Sequence, residues 1–551
     1  MDLVYKIITF WLGMAALWLI VLGPLCVFIG AKIARHKGLS YLRSAAINGL
    51  FFVAVGLIGV LWSMLLASFG VPQIATLVSD VVLAFAAGAL IVKWLTKTPL
   101  KSALKIFGVA FILMAVIDIA VMLVFSIEED LRPEVVEALE VEQDQDPDSN
   151  LFYALMGFSE SPGKDAHRVG REMVEKFNRQ LAERSGDSYN DVIHESEPID
   201  MARYDELETL FEKEVGLDGL SPEDQELITA VFDANRDILA AYRDLRRYDR
   251  LQNTATPHVI TPLPQYLTLM RANKLILAKA QVDFLAGDAE AALEALVGEI
   301  AFSRFLLAKS ETLISKMISV ALSKRCYQLY AELLDDETFV ASDALLSKEL
   351  ANLEQAEWGL GEAMRWEFQA AAAIMFEVDE MGLSLATDGA PPVPELGFGL
   401  IWKENNAINM LHPWYDSMAR DFELPAHEYK KLEIPVDSEI DFSFYDAITN
   451  PVAVILMQIA VPAFERYYQR MFVLDGLIRL VRLKQEIRVK QIATDGIPGY
   501  LAGVGDDLKN PYSLEPMVWD AEQRILSFER EPDDLDCRGE IAIPKLMLLQ
   551  P

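Results

Sequence analysis

Two carboxylic acids stand inside apolar runs of this chain, Asp80 and Asp118. A carboxyl in hydrocarbon is costly and normally meets a partner or a water-filled cavity. The pair reads in two ways: a shared proton or cation site, or two protonated acids bonded to Ser63, Ser79, Thr76 or backbone. A second cluster is Glu354, Glu357, Trp358, Trp366 and Glu367. Paired carboxylates beside aromatic rings are the equipment of glycoside hydrolysis. Such pairs also arise by chance in a segment that holds 79 acids. Cys326 and Cys537 are the only cysteines after residue 127, and they can form one disulfide or remain buried thiols. Cys26 sits in an apolar run and reads as inert. Trp402, His412, Trp414 and Tyr415 share one Pro-rich segment, where they can line a partner surface or anchor that segment to a core.

Other chemistry finds no support in the spacing. GxxxxGK[ST], a strand-linked GxGxxG, HExxH and GxSxG do not occur. His167, His194, His258, His412 and His427 are widely separated, so no metal or cofactor is expected. Ser161–Lys164 and Ser102–Lys105 match SxxK by spelling alone, without companion motifs. Asp233-Ala-Asn235-Arg-Asp237 opens like a calcium loop, but Ile238 stands where the turn needs glycine.

The elements that must position these residues divide the chain near Ile127. Residues 1–127 carry nine Lys/Arg and three Asp/Glu; the rest carries 40 and 79, a net −39. A whole-chain charge of −33 excludes a nucleic-acid binder resting on a basic surface. Four apolar runs, at about 7–31, 44–68, 71–95 and 104–127, are each long enough to span about 30 Å of hydrocarbon. The first is too long for a cleaved signal and is followed by Lys32, Arg35 and Lys37. Pro24 is expected to kink it. Loops one and three hold the basic residues, loop two holds none, and Glu128-Glu129-Asp130 follows run four. The positive-inside rule then puts loops one and three in the cytoplasm and both termini outside. With so few cysteines, this suits a multi-pass protein of a Gram-negative inner membrane with a periplasmic domain of about 420 residues.

The expected fold is mainly α: a four-helix transmembrane bundle, then a large α-helical extracytoplasmic domain with a small C-terminal β-hairpin. Residues 128–150 read as an acidic, extended linker. From 151 onward, apolar residues recur at helical spacing over about 165–185, 201–215, 222–250, 264–286, 288–308, 310–335, 342–381, 403–420 and 451–493. Ser221-Pro222 is a helix start, and Phe284–Leu293 reads as helix, tight turn, helix. No period near 34 residues repeats, so no array is expected. Val452–Val461 is too short to span and reads as a core helix. Residues 382–450, with six prolines, read as an irregular segment. Met517–Asp520 and Arg524–Phe528 alternate about a short turn, the hairpin of the 510–530 region.

Leu477-Ile-Arg-Leu-Val481, Asn510-Pro-Tyr512 and Pro516-Met517-Val-Trp519 carry a resemblance, joined by Asn150–Gly157 and Asn405–Trp414. In these scattered parts of about 400 residues, the chain resembles a group of uncharacterised Gram-negative bacterial envelope proteins. The resemblance implies a mostly helical fold and carries no catalytic motif. The expected function is a membrane-anchored interaction or scaffolding subunit, with the lipid bilayer and an envelope protein as partners. The alternatives are a proton- or cation-coupled transport component using Asp80 and Asp118, and a periplasmic hydrolase.

Overall fold

The computed structural model describes residues 18–35, 39–53, 73–125, 127–141, 144–158, 165–183, 201–212, 219–336, 339, 348–377, 402–432, 446, 449–460, 464–528 and 546–547. The chain is mainly helical and divides into two compact units. Unit one comprises 1–130, 386–407 and 441–460; unit two comprises the remainder.

In unit one, α1 (Gly23–Ile33), α2 (41–53), α3 (Gln73–Thr96) and α4 (Leu100–Phe125) pack on each other. Small residues set the contacts. A Cβ on Gly30 of α1 would lie 2.5 Å from the Ile106 carbonyl oxygen of α4. A Cβ on Gly88 of α3 would lie within the Phe107 ring. Phe107 sits at the centre, touching Phe51, Phe85 and Phe111. The kink expected at Pro24 takes the form of a π-helical turn over Trp18–Leu22. Pro24 has no N–H to give the Ile20 carbonyl. The Tyr41 hydroxyl of α2 donates to that oxygen instead (2.9 Å), and Asn48 Nδ2 donates to the Leu19 carbonyl (2.9 Å). Among the described residues one helix is long and apolar enough to cross a membrane, over Leu100–Ile117. Trp18–Ile33 and Val81–Thr96 are shorter apolar helices. Parts of the runs expected at 7–31 and 44–68 lie outside the described residues.

The acidic stretch after α4 is held down rather than extended. Glu128 Oε1 accepts from the Asn405 backbone N–H, and the Glu129 N–H donates to Asn406 Oδ1. Further on, the Arg132 N–H donates to Asn409 Oδ1. Pro133–Leu139 then forms α5, whose end receives hydrogen bonds from Gln369. Like-charge repulsion favours an open linker, but repeated capture by asparagine and glutamine side chains outweighs it.

Unit two begins with α6 (Leu151–Gly157) and α7 (Ala166–Ala182). These two meet backbone to backbone at Gly157 and Gly170, where any side chain would collide with a main-chain carbonyl. α8 (Asp205–Glu212), α9 (Pro222–Ala234) and α10 (Arg236–Asp244) follow. The helix expected over 222–250 breaks at Asn235, whose Nδ2 donates to the Ala202 and Val231 carbonyls. Ser221 caps α9 in a reciprocal box with Asp224.

α11 (Tyr266–Leu285), α12 (Ala289–Lys309) and α13 (Leu313–Leu333) form the centre of this unit. The turn between the first two uses Gly287 at φ +90°, a conformation that favours glycine, and Asp288 caps the next helix. The helix expected over 342–381 is interrupted by Gly359-Leu-Gly361, leaving α14 (Gln355–Trp358) and α15 (Gly361–Glu377). Within the segment expected to be irregular, α16 (Glu404–Asp421) runs through Pro413, and α17 (Ala426–Tyr429) follows. The 451–493 stretch divides into α18 (Pro451–Ala460), grouped with unit one, and α19 (Glu465–Val489), the nearly buried spine of unit two. A short α20 (Ile497–Ala502) precedes the sheet. The C-terminal hairpin pairs β1 (Val518–Asp520) with β2 (Ile525–Ser527) in antiparallel register, Trp519 opposite Leu526. A third strand, β3 (Leu546–Met547), adds to β2.

Candidate functional site

The sequence-selected residues that the structure describes serve separate tasks. Asp80 and Asp118 lie on α3 and α4, and their side chains fall outside the described residues. Cys537 also lies outside them. Cys326 is a buried free thiol on α13, near Asn273 Nδ2 (4.0 Å). Burial pushes its pKa up, which holds the sulfur in the unreactive thiol form.

The aromatic quartet is placed on and beside α16. Trp402 is buried in unit one. His412 packs edge-on and Tyr415 at a tilt against Phe368 of α15, and Trp414 packs against Tyr415 and Phe464. Pro413 therefore sits in a helix whose stability comes from ring packing rather than from an unbroken backbone ladder.

The carboxylates beside tryptophans serve different tasks. Glu354 stands at the N-cap of α14. Glu357 makes a two-point ion pair with Arg304 of α12, with both contacts at 2.6 Å. Its Oε2 also accepts from the Glu354 N–H (2.8 Å). Arg304 spends its remaining donors on the carbonyls of Glu349, Ala351 and Asn352. Glu367 lies a helix turn and more away. Burial raises its carboxyl to about 7, opposed by a hydrogen bond from the Leu313 backbone. Glu357 is thus committed to Arg304, while Glu367 stands on the next helix, α15.

A separate cluster lies in the centre of the helices. Glu299 of α12 is fully buried and accepts from Tyr242 (2.7 Å), Asn273 (2.7 Å) and Arg246. Burial raises its pKa, and the Arg246 charge pulls the other way. These groups tie four helical elements together, with no described cavity leading to them.

Unit two also holds an open cleft of about 600 Å³. Three junctions build it. The first is Asp249–Gln252, beyond α10. The second is Ala308–Glu311, where α12 turns into α13. The third is Gln355–Glu362 across the glycine break, together with Glu423. The glycines are needed here: a Cβ on Gly359 would lie 2.6 Å from Glu423 Oε1, and that oxygen accepts from the Gly361 N–H (3.0 Å).

At the base of the cleft Lys316 is 3% exposed. Its Nζ donates to the carbonyls of Ala356 (3.0 Å) and Glu357 (3.2 Å). Burial lowers its pKa to about 8, while Glu423 and Glu357 act in the opposite sense. Glu311 accepts from the Asn253 N–H (2.8 Å) and also borders a narrower, mainly apolar pocket around Leu263 and Ile318. The cleft therefore offers charges of both signs in a water-accessible hollow, without an aromatic wall.

Lys316 escaped the reading of the sequence, although a signal was present. Thr312, Lys316, Ser319, Ser323, Cys326 and Tyr330 recur at three- and four-residue steps on one buried stripe. A lysine on such a stripe is expensive unless it is partnered.

The segments that carry the resemblance hold structural asparagines. Asn150 caps α6 and pairs with the Gln252 backbone on both sides of its amide. Asn510 bonds the Tyr512 N–H, and the Tyr512 ring packs between Phe472 and Phe528. Compared with known proteins, the chain matches no family model, no curated protein and no solved structure.

Proposed function

We propose that this chain is a membrane-anchored scaffold of the bacterial envelope, with unit two on the periplasmic side of an inner membrane. The observation that carries the reading is the outer surface of the helices in unit one. Leu42 is 81% exposed, Trp94 71%, Ile112 62% and Val53 60%, while the interior of the same bundle is also apolar. Helices apolar on every side suit lipid as the surrounding solvent. Close packing through Gly30, Ala31, Gly88, Ala103 and Ala110 is the kind that works where lipid removes the hydrophobic drive between helices. The basic residues Lys32, Arg35, Lys93, Lys97, Lys101 and Lys105 cluster at helix ends, which supports one fixed orientation.

The scaffolding role rests on the state of the chemical groups. Arg304 closes on Glu357 and backbone carbonyls, and Glu299 closes on Arg246. Two measurements test the proposal. Protease added to spheroplasts should remove unit two while leaving the N-terminal helices protected. Purification from native membranes in mild detergent should bring a stoichiometric partner protein. Protection of unit two in spheroplasts would overturn the orientation, and a lone chain would overturn the scaffold. Replacing Asp80 and Asp118 by Asn separates the scaffold, which tolerates the change, from a transport component, which loses ion flux.

A further inference from the structure

The cleft in unit two contains a charge that its own packing leaves incomplete. Lys316 forms no ion pair among the described residues. Its ammonium has three donors, and two are spent on backbone carbonyls. The third has no acceptor among the described residues. A lysine this deep is normally paired.

Around it stand side chains of both signs that also lack described partners. Lys309, Asp249 and Glu362 line the cleft and are exposed. Glu423 and Glu311 are already engaged by Gln355 and by the Asn253 backbone. The missing element at the base is an anion, and the open rim offers carboxylates to a cation. A volume of about 600 Å³ suits a small molecule, and the lack of aromatic lining argues against stacking of a flat ring.

We propose that this cleft binds a small zwitterionic ligand of the amino-acid or short-peptide class, its carboxylate seated on Lys316 and its ammonium on the Glu362 side. This goes beyond the scaffold reading and stands without it.

The test uses the full chain in lipid nanodiscs and isothermal titration calorimetry. Four probes are compared: alanyl-alanine, its N-acetyl form, its C-terminal amide, and the doubly capped form. The free dipeptide should bind saturably, and each singly capped form should bind about tenfold or more weakly. Glu362→Gln should erase the difference between free and acetylated probes. Lys316→Met should erase the difference between the acid and the amide.

Because Lys316 also holds two carbonyls, a second readout needs no variant there. An anion on Lys316 favours its protonated form in the same sense as Glu311, Glu357, Glu362, Glu423 and Asp249, and against burial and Lys309. Binding of the N-acetyl probe, which has no amine of its own to titrate, should therefore take up a fraction of a proton at pH 8, seen as a heat that changes with the buffer's ionisation enthalpy, and none at pH 6. The proposal is overturned if the doubly capped probe binds as well as the free one. It is also overturned if none of the four binds below about 10 mM, or if the heat at pH 8 is the same in every buffer.

Discussion

Replacing Glu357 by Gln should loosen a defined part of unit two by about 2–4 kcal/mol. Glu357 and Arg304 are 8% and 12% exposed, and their ion pair has two short contacts. Removing one partner of a buried pair typically costs about 3–5 kcal/mol, because the other charge is left unpaired. Glutamine keeps one acceptor oxygen, which offsets part of that cost. The strain falls on Arg304, which also holds the carbonyls of Glu349, Ala351 and Asn352. The whole 348–358 segment should therefore open more often. Arg304→Met should cost about 4–5 kcal/mol, since it orphans the carboxylate and those carbonyls together. The double variant should lose less than the sum, by about 2 kcal/mol. Hydrogen exchange followed by mass spectrometry of the full chain in detergent reads this locally, which avoids assuming a single unfolding step. A loss of about 3 kcal/mol corresponds to exchange about 100-fold faster in peptides covering 348–364. Exchange in Glu357→Gln within about threefold of the parent would refute the reasoning. It would return Glu357 to the pool of carboxylates available for chemistry.

Other expectations follow from the same geometry. Glu367 has its folded pKa raised to about 7, so the folded state holds that proton more tightly than the unfolded chain does. Its contribution is present below about pH 4.5 and is lost as pH rises to 7, at most about 3 kcal/mol. Glu367→Gln keeps an acceptor for the Leu313 N–H, so it should raise the unfolding temperature at pH 8 and flatten the profile between pH 4.5 and 7. An unchanged profile would contradict the assignment. Gly30→Leu would force α1 away from the Ile106 carbonyl, costing about 1–3 kcal/mol in detergent melts. Gly49→Leu, in open space on α2, is the matched control and should cost far less. Cys326 should resist maleimide in the folded chain and react only after denaturation, as its burial and raised pKa require.

The parts of the fold visible in the sequence were those fixed by local rules. The Ser221 box, the Gly287 turn and the 518–527 hairpin each rest on a few neighbouring residues with strong backbone preferences. The breaks at Asn235 and Gly359–Gly361 were not visible. They depend on distant partners: the Ala202 carbonyl for the first and Glu423 for the second. Pro413 misled in the opposite sense, because ring contacts from Phe368 and Phe464 sustain a helix that its backbone alone disfavours. The acidic stretch after residue 127 was read from its charge, but asparagine side chains some 277 residues away decide its path. The candidate cleft was the least legible, since it is assembled from three inter-helix junctions, each unremarkable in sequence.

Several cations of unit two are spent on backbone carbonyls. Lys484 donates to the Ala331 carbonyl (2.8 Å) and pairs with Asp335, and Arg488 bonds the carbonyls of Leu334, Asp336 and Phe339. Together they close the C-terminal end of α13, where a cation also meets the negative end of the helix dipole. Arg479 holds the carbonyls of Asp506 and Lys509, Arg304 those of 349–352, and Lys316 those of Ala356 and Glu357. In each case a long basic side chain from one helix terminates another helix or pins an irregular segment. Three of these cations also meet an acid, Arg304 at Glu357, Arg479 at Asp475 and Lys484 at Asp335, so the clasps take up charge of both signs. Lys316 differs from the other clasps in one respect: it stands at the base of an open cleft, where its remaining donor can meet a ligand rather than another helix.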